Sequence, residues 1–374
     1  MKQKRILGLV FLALFLTAAA ATFAAAPGAA ADLLRQDWDH PAALAQNMEL
    51  FFKDHMPFAP QMRDLYLEVR MLGGNRELDG VFLVEDGLVE KFAPPQPDYG
   101  AANTQAILDF VQTGGTPAFL MVVPTASAIY QDRLPANTPL YNQRAYLESL
   151  SAELAGSMTV ADVYLPLYYA RDQYLYYRTS PQLTSLGQLT VYQNLAKRLG
   201  FTPRPLEEFV LSRVPAPYYG PLYAQWGYGG VKGDVVTYYR NQVLDRACQV
   251  RHWERYEQRT YYSLFPPEAA LEGDAAAVIL GGLSPRIEIT MLGAPGAPTL
   301  LVVGDESTVG LLPFLALHYR SITFLDLGLL TDSEIAALPA EGYDHILFAY
   351  SLDTYLGTGT PAKIAALGGR GEEG

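Results

Sequence analysis

Continuous apolar segments alternate with amphipathic segments along much of this chain. This alternation restricts the fold more than any other feature of the sequence. The run Ala118–Val123 is wholly apolar and ends at Pro124, as expected of a strand that is covered on both faces. Later strand candidates are Thr299–Val303, Ser321–Leu325 and His345–Phe348. Strands that alternate with helices predict a parallel sheet with helices on both faces. Ligands of such sheets lie beyond the carboxyl ends of the strands, so we expect a site at the turns after Val123 and Val303.

The helices are predicted from apolar residues that recur at the spacing of one helix face. The main helical stretches are 32–73, 103–111, 142–155, 184–199 and 332–338. An Asp-Gly pair between two short apolar runs predicts a β-hairpin over 80–89. Between residues 203 and 298 this alternation of apolar and amphipathic segments is lost. The stretch consists of short segments rich in Tyr, Gly and Pro, with strand candidates at 233–239 and 275–280. This stretch is therefore predicted to be an insertion of strands and loops.

Composition and charge exclude several classes of function. Half of the 374 residues are hydrophobic and 18% are charged, so the chain can bury a large core. From Asp32 onward, 24 Lys and Arg residues stand against 39 Asp and Glu residues, a formal charge of −15. A body this acidic is not expected to bind nucleic acid or anionic lipid surfaces. Cys248 is the only cysteine, which excludes an intrachain disulfide and a zinc site built on several thiolates. The five histidines are scattered, and we expect neither a metal nor another cofactor.

Residues 1–31 predict an export segment. Three cations (Lys2, Lys4 and Arg5) precede a nearly unbroken apolar run from Ile6 to about Ala26, and small residues follow it. As a helix this run would be roughly 31 Å long, which is about the thickness of a bilayer core. It is thus either a cleaved signal peptide or an uncleaved membrane anchor. Both interpretations place the rest of the chain outside the cytoplasm, secreted or held at the cytoplasmic membrane by this segment alone. The glycine-rich end, 368–374, is expected to be disordered.

Several short blocks occur in a recognisable order along the chain. They are 52–58 (which contains Asp54-His55), 79–83, 121–126, 176–179, 184–187, 301–305, 313–319 and 343–347. Together they resemble the DHHW family, exported bacterial proteins related to SGNH hydrolases and to alginate O-acetylation proteins. The resemblance implies an α/β fold with an SGNH-hydrolase-like three-layer parallel sheet over residues 32–367, into which the Tyr/Gly/Pro-rich segment 203–298 is inserted.

The resemblance also implies a chemistry that this sequence does not complete. In that chemistry a serine attacks an acyl carbonyl, a histidine accepts its proton and a carboxylate orients the histidine. Where the family carries Asp-His-His-Trp, this chain has Ser180, Pro181, Gln182 and Leu183, none of which can accept a proton near neutral pH. At the position of the family's serine stands Glu306, and Ser307 follows one residue later.

Few candidates remain for a catalytic group. Ser307 is the candidate nucleophile, Asp305 lies beside it in the sequence, and His55 is the best candidate for a base. In the competing interpretation, Asp305 and Ser307 cap a helix that begins nearby, and His55 is a structural or surface group. The other histidines are predicted to lie in a linker (His40), on a solvated charged face (His252), at a helix end (His318) and at the start of a strand (His345, an alternative helper for Ser307).

The 25 tyrosines are clustered in 164–177, 218–228 and 238–262. Exposed tyrosine rings suit stacking on sugars and buried ones fill a core, and the sequence leaves both open.

From these features together we predict an exported DHHW-like protein without catalytic activity. Such a pseudoenzyme would bind an envelope or extracellular polysaccharide, or a partner in its O-acetylation such as a membrane-bound O-acyltransferase. The alternative is a serine-dependent acyl-ester hydrolase or O-acetyltransferase that acts on cell-envelope glycan. A third hypothesis is that the gene is decaying and that selection no longer maintains any activity of the protein.

Overall fold

The computed structural model of the protein describes residues 16–36, 41–57, 59–85, 87–227, 230–241, 247–254, 257–272 and 274–369. Residues 6–15 of the predicted N-terminal apolar run, His40 and the last five residues of the predicted tail lie outside these ranges. The chain forms two compact units. The first includes the residues up to Asn75 together with Gly227–Gly229, and the second includes Arg76–Trp226 and the residues from Gly230 onward.

The first unit is helical, as the apolar spacing over 32–73 predicted. Helix α1 is described over 16–25 and is followed by α2 (Pro27–Gln36), α3 (Pro41–His55) and α4 (Ala59–Leu72). Helices α2 and α3 begin with proline, whose fixed φ suits a position that has no intrahelical partner for an N–H. Phe51 of α3 is buried, and its ring lies 5.2 Å from that of Phe23. Among the described residues, none of the helices combines the length and the apolar character needed to cross a bilayer.

The second unit contains the strands and the remaining helices. Its described strands are β1 (Glu77–Leu78), β2 (Val81–Val84), β3 (Gly87–Glu90), β4 (Ala118–Val123), β5 (Thr159–Val160), β6 (Val210–Tyr218), β7 (Asp234–Arg240), β8 (Cys248–Trp253), β9 (Gln258–Tyr261), β10 (Arg286–Met291), β11 (Thr299–Gly304), β12 (Ser321–Leu325) and β13 (His345–Ser351). Its described α-helices are α5 (Gly100–Gly114), α6 (Ala126–Ile129), α7 (Gln143–Glu153), α8 (Tyr164–Tyr169), α9 (Ser185–Arg198), α10 (Pro221–Trp226), α11 (Leu312–Leu315), α12 (Asp332–Ala336) and α13 (Leu352–Gly357).

Eight of the described strands form one central sheet in the order β5-β4-β13-β11-β12-β10-β8-β9. The five strands from β5 to β12 in this order are parallel, which confirms the predicted parallel sheet. Alternate residues of β11 face two separate apolar cores: Leu300 and Val302 pack with residues of α9, and Leu301 and Val303 pack with residues of α5. A sheet with a helical layer on each face has three layers, so both faces of its central strands are buried.

The inserted segment extends this sheet. Strands β8, β9 and β10 lie in it and are antiparallel to their neighbours, while β6 and β7 pair with each other beside it. The prediction of a strand at 275–280 is wrong, because Ala275–Val278 forms a 3₁₀ helix capped by the Asp274 side chain. An alanine-rich run without hydrophobic alternation does not specify a strand, and a capping carboxylate at its start favours a helical turn.

The tyrosines divide between the core and the surface. Tyr192, Tyr319, Tyr350 and Tyr355 are completely buried, whereas Tyr169 is 76% exposed. Core packing therefore accounts for part of the tyrosine content, and the exposed rings remain open to other roles.

Candidate functional site

A cavity of about 220 Å³ lies at the carboxyl ends of the parallel strands, at the edge of the sheet that the strand pattern predicted. Thr125 contributes to its wall from the turn after β4, Ser307 from the turn after β11, and Ser351 from the end of β13. The wall also includes Pro181 and Leu183, from the position of the family's naming motif. The structure thus brings Ser307 and the altered loop to one cavity.

The turn after β11 depends on a glycine. Gly304 ends this strand directly beside Ala349 of β13. A Cβ atom at position 304 would collide with the carbonyl oxygen of Ala349 and with the hydroxyl of Thr308. Because glycine lacks that atom, the two backbones approach closely and the following residue, Asp305, reaches the end of β13.

Asp305 and Ser307 form one hydrogen-bonded group at this turn. Asp305 is the N-cap of a 3₁₀ helix over Glu306–Leu311, and its Oδ1 accepts the backbone N–H of Ser307 at 3.1 Å. The Ser307 hydroxyl donates to the same Oδ1. Oδ2 accepts both the backbone N–H of Ser351, at 2.8 Å, and its hydroxyl, at 2.7 Å. The arrangement agrees with the capping interpretation for Asp305, whereas the Ser307 side chain acts as a donor and caps no helix in the described part of the chain.

The described histidines of the second unit are hydrogen-bonded to other groups. The bonds join His252 Nε2 to the carbonyl oxygen of Leu280 (2.7 Å), His318 Nε2 to the Tyr192 hydroxyl (2.8 Å) and His345 Nδ1 to the Tyr319 hydroxyl (2.9 Å). Burial lowers the pKa of His252 and of His345, and it lowers the pKa of His318 to about 4. These imidazoles are therefore neutral at physiological pH, and none of them lines the cavity that contains Ser307.

Two sequence-based expectations about these histidines change. His345 opens β13 opposite Leu300, whereas Gly304 lies opposite Ala349. Four residues of strand correspond to roughly 13 Å, so His345 lies at the opposite, amino-terminal end of the parallel strands from Ser307. The prediction of a solvated face for His252 is wrong: its strand alternates buried and half-buried side chains, and His252 is on the buried side.

His55 belongs to the first unit. It is the last residue of α3, where its Nδ1 bonds to the carbonyl oxygen of Phe51 at 3.0 Å and its ring stacks on the Phe51 ring at 4.8 Å. Asp54 beside it is exposed. These contacts are local to the end of one helix.

The loop that replaces the family motif is packed into the second unit. Tyr176 pairs with Leu183 in a β-bridge, and the N–H of Tyr177 donates to the carbonyl oxygen of Gln182 at 3.0 Å. Ser180 is buried. The loop therefore supplies the cavity with apolar wall rather than with a titratable group.

A buried carboxylate of the inserted segment anchors this loop. Asp234, the first residue of β7, is completely buried. It accepts the backbone N–H groups of Arg178 (2.8 Å) and Thr179 (2.9 Å), and the hydroxyls of Tyr174 and Thr179. The sequence analysis missed Asp234 because it lies 55 residues from Thr179, and only the fold brings the two together.

Carboxylates surround Ser307 on both sides. Glu90 and Asp353 line the larger cavity, and Asp274 and Glu306 line a second cavity of about 70 Å³, which also borders Ser307. Desolvation raises the pKa of Glu90, and the charge of Asp353 raises it further. Desolvation likewise raises the pKa of Asp353. In the ranges that the structure describes, no cluster of three His, Cys, Asp or Glu side chains has the arrangement of a metal site.

Ser351 and Asp353 are further residues that the sequence analysis missed. The predicted last strand ended at Phe348, but β13 continues to Ser351. The rule that points to the carboxyl ends of parallel strands would have found both residues if this strand had been extended by three positions.

Solved structures with this fold are known. A DHHW family protein from Eubacterium siraeum is 19% identical, with a TM-score of 0.64 over 78% of this chain and 97% of that chain. PatB1 from Bacillus cereus, solved with a sulfonyl adduct, is 14% identical, with a TM-score of 0.62 over 76% of this chain and 99% of that chain. No protein-family model and no curated protein matches the sequence. The likeness confirms, at the level of the fold, the resemblance to DHHW proteins and the α/β class with a mostly parallel central sheet.

Proposed function

We propose that this chain is a non-hydrolytic protein with the DHHW fold that binds a polysaccharide in the cavity beside Ser307. One observation carries the proposal: the Ser307 hydroxyl donates to Asp305, and no described imidazole of the second unit lines the cavity. A serine in acyl transfer needs a base that is free to take its proton. Asp305 is a poor substitute for such a base, because a carboxylate is a weaker base than an imidazole, and besides the Ser307 hydroxyl it already accepts three other hydrogen bonds.

The lining of the cavity suits a sugar. Thr125, Ser307 and Ser351 offer hydroxyl-bearing side chains, while Pro181 and Leu183 offer apolar surface. Sugar rings likewise combine hydroxyl groups with apolar C–H faces, and binding sites for small molecules commonly combine an apolar lining with a few placed polar groups.

The place of action and the partners belong to the same proposal. The basic start and the apolar run that follows it support export, so we place the polysaccharide in the cell envelope or outside the cell. A membrane-bound O-acyltransferase is the proposed partner, for which this chain would hold the glycan during O-acetylation.

Covalent labelling tests the absence of hydrolytic chemistry. Because PatB1 was solved with a sulfonyl adduct, a sulfonyl fluoride is a suitable probe, and a fluorophosphonate is a second. We expect intact-mass measurement to show no adduct on the folded protein. We also expect acetyl-ester turnover no higher than that of the Ser307→Ala variant.

The opposite result would establish the second candidate function. An adduct that forms on the native protein and on a Ser351→Ala control, but not on Ser307→Ala, would identify Ser307 as a nucleophile. The chain would then be a serine-dependent esterase or O-acetyltransferase acting on envelope glycan, which is the function that the position of Ser307 in the cavity favours next.

A further inference from the structure

Two cavities border Ser307, and together we call them the path across Ser307. The larger, of about 220 Å³, and the smaller, of about 70 Å³, share Leu183 and Ser307 in their walls. A compact ligand needs one of these spaces, whereas a linear polymer can place successive units on the two sides of Ser307. The geometry therefore suits a chain of sugars better than a single sugar.

The path is negatively charged along its length. Glu90 and Asp353 lie on the side of the larger cavity, and Asp274 and Glu306 lie on the side of the smaller one. All four residues are exposed to solvent, so a bound ligand can reach their carboxylates. Among the residues that line the two cavities in the described part of the chain, Lys91 is the single cation.

This charge makes ligand chemistry selective. Like charges at short range inside a partly desolvated cleft repel more strongly than in bulk water, so an anionic polymer would lose binding energy at each unit. Burial raises the pKa of Glu90, and repulsion by the charge of Asp353 adds to the rise. A cationic ligand would relieve this repulsion, and a neutral ligand would leave it unchanged.

We infer that the path across Ser307 takes a polymer of amino sugars with free ammonium groups, because four exposed carboxylates and one lysine line the two cavities that flank this residue. The inference rests on the proposed function and names the class of glycan for it. It excludes uronate polymers, whose carboxylates would meet the carboxylates of the site.

Three oligosaccharides of equal length test the inference on the full chain. The probes are a glucosamine hexamer, an N-acetylglucosamine hexamer and a mannuronate hexamer, titrated calorimetrically at about pH 5.5, where most amino-sugar amines are protonated and carboxyl groups with ordinary pKa values are ionised. We expect the glucosamine hexamer to bind about tenfold more tightly than the N-acetylated one, and the mannuronate hexamer not to bind detectably. The preference should shrink as salt is added, because screening weakens interactions between exposed charges.

Paired variants locate the effect. Glu90→Gln with Asp353→Asn, and Asp274→Asn with Glu306→Gln, should each remove most of the preference for the glucosamine hexamer. The matched control is Asp109→Asn with Glu153→Gln, which removes the same formal charge from exposed positions of α5 and α7 and should leave the preference intact. A control that lost the preference equally would reduce the effect to net charge and overturn the inference.

The outcomes separate the inference from the proposed function. If the N-acetylated hexamer binds and the glucosamine hexamer binds no better, or if mannuronate binds comparably, the inference fails and polysaccharide binding stands. If none of the three hexamers binds to folded protein, both fail. The comparison of probes on the unmodified chain decides the matter even if a paired variant does not fold.

Discussion

Asp326 lies just beyond the end of β12 and is 93% buried, since only 7% of its surface is exposed. Burial raises the pKa of its carboxyl to about 6, and the charges of Asp305 and Glu306 contribute to the rise. Its Oδ1 accepts the backbone N–H of Gly328 at 2.9 Å. At the scale of the residue, this group is an ionised acid at neutral pH in surroundings that favour its protonated form.

The free energy of unfolding should therefore depend on pH through the ionisation of Asp326. Because the pKa in the fold is above the ordinary value of 3.8, the folded state binds the proton more tightly than the unfolded chain between about pH 4 and pH 6. The contribution of Asp326 is thus most favourable below that window and is lost as the pH rises through about 6. We expect Asp326→Asn, which keeps an acceptor for Gly328, to stabilise the protein by about 1–3 kcal/mol near neutral pH and by nothing below about pH 4.

Urea unfolding of both proteins across this pH range is the measurement. Glu153→Gln, at an exposed position of α7, serves as the control. A stabilisation by Asp326→Asn that did not change with pH would show that shape, rather than charge, is responsible.

At the scale of the element, β7 determines where the loop after Tyr177 can lie. Four donors from residues 174–179 converge on the Asp234 carboxylate at the start of this strand. The N–H of Gly220 in turn donates to the Thr179 hydroxyl at 2.9 Å. The inserted segment therefore holds the wall of the proposed binding cavity in place.

We expect Asp234→Asn to destabilise the protein by about 3 kcal/mol or more. The amide nitrogen cannot accept hydrogen bonds, so at least one buried donor loses its partner, and bonds to a neutral acceptor are weaker than bonds to a carboxylate. Asp274→Asn, at an exposed cap, is the matched control and should cost less than about 1 kcal/mol. Equal losses in urea unfolding would contradict the anchoring role of Asp234.

At the scale of the whole molecule, the dominant property is charge. The chain carries a formal net charge of −12 at pH 7, and its calculated pI is about 4.9. Self-repulsion of this size opposes the compact state, and salt screens it.

The melting temperature should therefore rise by a few degrees between about 20 mM and about 300 mM NaCl at neutral pH. The same titration close to the pI supplies the control, since little net charge remains there to be screened. A rise of equal size at both pH values would point to a general salt effect instead of charge screening.

The sequence predicts the centre of this fold well and its periphery less well. The bounds of β4 and β12 agree with the prediction to the residue. Strand β4 is a continuous apolar run that ends at Pro124, and β12 is a short β-branched and aromatic segment that ends before Asp326. The place of β8 and β10 in the same sheet was not predictable. Their alternating side chains indicate strands, but pairing partners far apart in sequence are determined by packing.

The site was predictable in outline. The turns after Val123 and Val303 do meet at one cavity, as the rule for parallel sheets required. Tertiary structure determines the bond between Ser307 and Asp305 and the burial of Asp234. The spacing of residues in the sequence therefore could not show whether the side chains after Val303 cap a helix or include a nucleophile.

The collision that any side chain at position 304 would meet has a consequence for protein engineering. A designer who wished to install esterase activity in this scaffold would need more than an imidazole grafted between Thr179 and Thr184. The positions of Glu306 and Ser307 depend on a backbone turn that accepts only glycine at position 304. A gain of activity would therefore require redesign of this turn together with the grafted loop.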